Sequence, residues 1–217
     1  LLPKSRSRRA NRFFEQEISP SDFQVPAGIG DIRIIEAWDG QIITGAGQAE
    51  PLIKNGFAVA DPSRDILKIA VINRYRAAPP AIAFVRGIGL KTGAIASSVA
   101  HDCHNIVAVG TTDEALTRAV NMIIRKAGGI AVAGRNASGR ILPLPVAGLM
   151  SDGYAEDVAE GYADLTREAR ELGSPLQAPF MTLSFLALLV IPALKLSDKG
   201  LFDGVKFEFT PAFVGLP

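Results

Sequence analysis

Short apolar runs bounded by Gly, Pro or Asn recur at residues 66–72, 81–85, 93–97, 106–109, 130–133 and 140–144, each of strand length. They predict a sheet of several strands. Ahead of them, residues 32–38 and 41–44 flank Asp39-Gly40, a dipeptide that tolerates positive φ in a two-residue turn, so a hairpin is expected there. A helix is predicted over 112–127. Thr112 suits its N-cap, Asp113 and Glu114 suit the positive end of its dipole, and Ala115, Ala119, Val120, Ile123 and Ile124 recur at helical spacing before Gly128. A second helix, over 153–172, puts Val158, Tyr162, Leu165, Ala169 and Leu172 on one stripe, with Asp152 beside Ser151 as its cap and Gly173 and Pro175 as its stop. Near the end, Ser197-Asp198-Lys199-Gly200 reads as a turn, and 205–210 alternates as an edge strand does. Strands in series with helices inserted unevenly predict an α+β fold: a largely antiparallel β-sheet with at least two packed helices.

Residues 1–31, rich in Arg, Ser, Pro and Gly, read as a connecting arm, and residues 32–217 as the domain proper. The longest apolar run, 181–194, holds Thr182, Ser184 and Pro192 and falls short of the roughly 20 residues of a membrane-spanning helix, so it is expected in the core. With 21 Gly and 14 Pro among 217 residues, 48% of them hydrophobic, the composition is that of a turn-rich globular protein. A net charge of +1 leaves no chain-wide field for nucleic acid or an anionic membrane, and neither is expected as a partner. One cysteine, Cys103, forms no internal disulfide, which points to a reducing compartment, the cytoplasm. The start at Leu1 without Met, and a basic stretch with no apolar core after it, reads as a chain excised from something longer.

Both histidines and the cysteine fall within His101-Asp102-Cys103-His104-Asn105. Imidazole ligates metals or carries protons near neutral pH, Asp orients imidazole, and a thiolate is a nucleophile or soft ligand. The segment lies between two predicted strands, as a loop or bulge. Three readings follow: a polar loop satisfying backbone groups, part of a site completed from elsewhere, or a complete site in itself. A tetrahedral metal centre would need three or four ligands from one tight pentapeptide, so His101 and His104 are weak metal candidates. Other motifs fail. Gly87-Ile88-Gly89-Leu90-Lys91-Thr92-Gly93 misses the dinucleotide fingerprint by one residue, the zinc nucleobase-deaminase signature needs two cysteines, and no Gly-x-Ser-x-Gly occurs. Asp61-Pro62-Ser63-Arg64-Asp65, with Lys68 and Arg74 following, reads as a charge-dense type I turn entering a strand.

Several strings together carry a resemblance: Asp61-Pro62-x-Arg64-Asp65-Ile66-Leu67-Lys68; Gly87-x-Gly89-Leu90-Lys91-x-Gly93-Ala94-Ile95-Ala96-Ser97-Ser98-Val99-Ala100-His101-Asp102-x-His104-Asn105; Leu142-Pro143-Leu144-Pro145-x-Ala147-Gly148-Leu149-Met150-Ser151; Pro179-Phe180-Met181-Thr182-Leu183-Ser184-Phe185-Leu186-Ala187-Leu188; and Lys206-Phe207-Glu208-Phe209. Over roughly residues 12–214 the chain resembles the C-terminal domain of bacterial adenine deaminases, of the amidohydrolase superfamily. The resemblance implies conversion of adenine and water to hypoxanthine and ammonia by a metal-bound hydroxide, with manganese, iron or zinc in a (β/α)₈ barrel preceding this region. That barrel's His-x-His pair is missing here, so no complete catalytic centre and no metal is expected in this chain. The expected partners are adenine, the barrel in cis or associated, and further copies of the protein in a homo-oligomer. His101, Asp102, His104 and Asn105 are then the candidate substrate-enclosing loop, with Asn105 or His104 bonding the purine edge. The family commonly has Ser at Cys103, so the thiol is assigned no catalytic duty, and often Pro at Leu189. The alternatives are a free-standing, barrel-less module that binds purines or oligomerises, and a self-sufficient metalloenzyme using His101, Asp102 and His104.

Overall fold

A computed structural model describes residues 11–14, 16–135 and 138–215. A 3-10 turn, Pro20–Phe23, precedes strands β1 (Val25–Pro26), β2 (Ile32–Glu36), β3 (Gly45–Ala49), β4 (Leu52–Lys54), β5 (Phe57–Val59), β6 (Leu67–Ile72), β7 (Ala81–Arg86), β8 (Ala94–Ser97) and β9 (Ile106–Gly110). Helix α1 (Asp113–Arg125) leads to β10 (Gly129–Ala133) and β11 (Gly139–Pro143). Helices α2 (Ala155–Glu171) and α3 (Pro179–Phe185) are followed by β12 (Leu194–Ser197), β13 (Gly200–Asp203) and β14 (Glu208–Phe209). The main sheet runs β11-β10-β8-β9-β6-β7-β2-β3, antiparallel throughout except where β2 lies parallel to β7. Two small sheets, β1-β5-β4 and β12-β13-β14, flank it. This is the expected α+β class with its mainly antiparallel sheet. Among the described residues, no helix is long and apolar enough to cross a membrane.

The central strands read as unbroken apolar runs because both faces of the sheet are covered. Successive side chains point to opposite faces, and they divide by size. Ala70, Ala94, Ala96, Ala108, Ala131 and Ala133 face α1, meeting Leu116, Ala119, Val120 and Ile123. Ile69, Val71, Ile95, Val107, Val109 and Val132 face the other way, toward Leu165 of α2, Phe180 and Leu183 of α3, and Leu194 and Leu196 of β12. The alanine face lets α1 settle close to the sheet. At Gly110 a Cβ would lie 2.8 Å from Leu116 Cγ and 2.9 Å from Ala94 Cβ. Thr112 caps α1 as expected, accepting from Ala115 N at 3.1 Å.

Four local expectations are corrected. Residues 41–44 are not a strand: they belong to the connection before β3, and their backbone is taken by the segment entering β12. Thr44 N donates to Pro192 O at 3.0 Å, Thr44 Oγ1 to Leu194 O at 2.8 Å, and Ala193 N to Thr44 O at 2.9 Å. The partner of β2 is instead the glycine-bearing β3, over which the Glu36 side chain lies; a Cβ at Gly47 would come within 2.5 Å of its Oε1. The N-cap residue of α2 is Tyr154, not Asp152, and Ser151 Oγ accepts from Gly153 N. Only Glu208–Phe209 of the expected 205–210 strand pairs, because Asp203 Oδ1 accepts from both Val205 N and Lys206 N and bends the chain into a turn. The 181–194 run folds partly as α3, burying Leu183, Leu186, Ala187 and Leu194 but leaving Met181 and Val190 in solvent.

Within segment 1–31, the described residues pack on the rest. Phe23 is fully buried, β1 pairs with β5, and Asn121 of α1 accepts from Ile18 N and donates to Ile18 O.

Candidate functional site

Residues 98–105 join β8 to β9, two neighbours in the middle of the sheet, so the loop stands over the end of the core. Its root is fixed. Ser98 Oγ donates to Gly148 O at 2.6 Å and accepts from Gly129 N at 2.9 Å, tying it to the start of β10. His101 N donates to Ser184 O at 3.1 Å, and the His101 ring stacks on Phe185 with centroids 4.7 Å apart, so α3 fixes the far side. His104 takes a left-handed backbone conformation (φ 48°) and closes the turn by donating to Ala100 O at 2.7 Å.

The loop therefore brings together two of its candidates and separates two. The His101 and His104 rings lie 6.4 Å apart, edge to face. Asp102 is exposed. Asn105 is buried, its Oδ1 accepting from Arg74 N at 3.3 Å, so its side chain holds the loop to the residues that follow β6. Cys103 is half-buried, and burial pushes its thiol pKa up, away from a reactive thiolate. His104 Nδ1 is buried without a hydrogen-bond partner. Burial first, then the charges of Arg74 and His101, lower the His104 pKa, while Asp102 raises it.

Sequence reasoning placed Arg74 and Lys68 only after a charge-dense turn and left Lys195 unread. All three are buried, Arg74 and Lys195 beside this loop and Lys68 at the far end of β6, where it pairs with Gly110. Arg74 is buried, donating to Ala147 O at 2.7 Å and to Tyr75 Oη at 3.0 Å, with its guanidinium over the rings of Phe13 and Tyr75. Tyr75 Oη donates in turn to Cys103 O at 3.4 Å. Lys68 is buried on the α1 face of β6, donating to Asp113 and to Phe23 O at 2.8 Å. Lys195 is fully buried, donating to Ile42 O at 2.7 Å and Phe185 O at 3.0 Å, and burial lowers its pKa to about 8. A signal was present, since Lys68 interrupts an otherwise apolar strand and Lys195 stands between the core residues Leu194 and Leu196.

Among the described residues, no three His, Cys, Asp or Glu side chains are placed to share a metal ion. The residues at this loop do not fit a manganese, iron or zinc centre. What the arrangement offers is a rigid polar rim with two imidazoles, one of them holding a buried nitrogen without a partner.

A sequence profile described as "Adenine deaminase C-terminal domain" matches residues 41–208. An adenine deaminase of Salinibacter ruber is 57% identical over 206 residues, covering 94% of this chain and 37% of that protein. One from Methanosarcina mazei is 50% identical over 225 residues, covering 98% of this chain and 40% of that protein. One from Sulfurovum sp. is 60% identical over 148 residues, covering 68% of this chain and 28% of that protein. The chain thus spans well under half the length of these relatives.

Proposed function

Since the chain belongs to the adenine deaminase C-terminal domain family, we propose that it works as the C-terminal part of an adenine deaminase, covering a metal-containing barrel. The whole protein would convert adenine and water to hypoxanthine and ammonia, in purine salvage in the cytoplasm, with manganese, iron or zinc held by the barrel. Segment 1–31 would connect the two parts, and the protein would assemble as a homo-oligomer. The observation that carries this reading is the family match across 41–208 in relatives of which the chain spans only 37% and 40%. A free-standing module draws no support from those relatives.

Within this reading the 101–105 loop encloses adenine. His104 offers the buried Nδ1, His101 a ring braced by Phe185, and Asp102 a carboxylate at the exposed turn. Asn105 acts as a positioning residue through Arg74. The arm's first described residues support the same orientation, for Phe14 N donates to Arg74 O at 2.6 Å, beside the loop. The test is adenine kinetics of the whole gene product. His104→Ala is expected to raise KM or lower kcat at least about tenfold, the scale of one lost hydrogen bond to a buried polar group. Unchanged kinetics would remove the loop from the substrate site.

A further inference from the structure

The connection between β2 and β3 and helix α3 form an apolar groove of about 230 Å³, walled by Ile42, Met181 and Phe185 and rimmed by Asp39, Gln41 and Gln177. Ile42 is 44% exposed, its neighbour Ile43 47%, and Met181 50%. An apolar centre with a polar rim is the anatomy of a protein interface. The groove is also built to hold its shape. The buried amine of Lys195 bonds the carbonyls of Ile42 and Phe185, one on each wall, and Asp39 Oδ1 accepts from Gln177 N at 3.0 Å across the rim. By contrast, the exposed rings of Phe207 and Phe209 pack on Phe202, with centroids 5.2 and 5.3 Å away, and so have a partner within the fold.

Resting on the proposed function, we infer that this groove is the docking face for the polypeptide that the relatives carry beyond the matched region, which inserts apolar side chains between Ile42 and Met181. Two observations select that occupant. The chain spans only 37% and 40% of its relatives, so most of each relative lies outside the matched region. The groove wall Phe185 also stacks on His101, which makes the face continuous with the candidate substrate loop. A domain seated in the groove would meet that loop without a gap, and α3 would fix the loop against it.

The test is peroxide oxidation of methionines, read by peptide mass spectrometry, in this chain and in the whole gene product. Met150, 57% exposed, is the comparison for Met181 within the chain. The two are expected to oxidise at similar rates in the chain, and Met181 to slow about tenfold in the whole product. Equal Met181 rates in the two samples would overturn the docking face. So would protection of Met181 in the chain alone that deepens with concentration, since a second copy is then the occupant. Ammonia release by the same preparation separates the two claims: turnover with unprotected Met181 removes the docking face only, and protection without turnover keeps it while removing the deaminase reading.

Discussion

Lys68 carries its charge into the thin side of the core, where Asp113 and the Phe23 carbonyl take its amine. Burial raises the Asp113 pKa, against the pull of Lys68, so the pair is held at a cost in hydration. Lys68→Ala strands a half-buried carboxylate and a buried carbonyl, and an expected loss of about 3 kcal/mol should appear in urea unfolding. Lys68→Met with Asp113→Asn should lose less. His104 titrates in the opposite sense to a salt-bridged histidine. Its folded pKa lies below 6.5 because burial and then Arg74 disfavour the imidazolium. The unfolded chain therefore takes up a proton first, so the His104 contribution is intact above pH 6.5 and is lost as pH falls through the folded value. Thermal melts from about pH 7 to about pH 5 should fall more steeply for the wild type than for His104→Gln.

The strands of the core and helices α1 and α2 were legible because period and run length are properties of neighbours in sequence. Ala94, Ile95 and Ala96 alternate in size because α1 covers one side and α3 the other, a division that apolarity alone does not display. The segment 41–44 was misread for the same reason, since its partner, the 192–194 segment, acts at long range. By contrast β3, though the hairpin neighbour of β2, was passed over because Gly45 and Gly47 leave it no apolar run. Close approach at the alanine side makes a second stability test. Gly110→Ala places a methyl against Leu116 and Ala94 and should cost about 1–3 kcal/mol, measurable by thermal melting. Its circular dichroism should be unchanged if α1 merely shifts outward.

For the whole molecule, the 101–105 cluster was visible as a concentration of His and Cys, but its division of labour was not. That Asn105 bonds Arg74 and that His101 rests on Phe185 depends on β6 and α3 converging at one end of the sheet. Adenine incubated with this chain and manganese or zinc should release no more ammonia than a His101→Ala, His104→Ala double variant does. Turnover lost in that variant would put the catalytic centre inside the loop.

The tail of the domain returns to its beginning. Val214 N donates to Asp31 O at 2.7 Å, the Arg33 guanidinium bonds the carbonyls of Pro211 and Phe213, and Phe213 bridges Ile32. The fold is therefore closed like a ring with a clasp. A nick at the exposed Asn55-Gly56 turn would open the ring close to the clasp, since Gly56 O accepts from Ala27 N and Ala58 packs in one cluster with Ile32 and Phe213. It would leave two fragments held together by the sheets that they share.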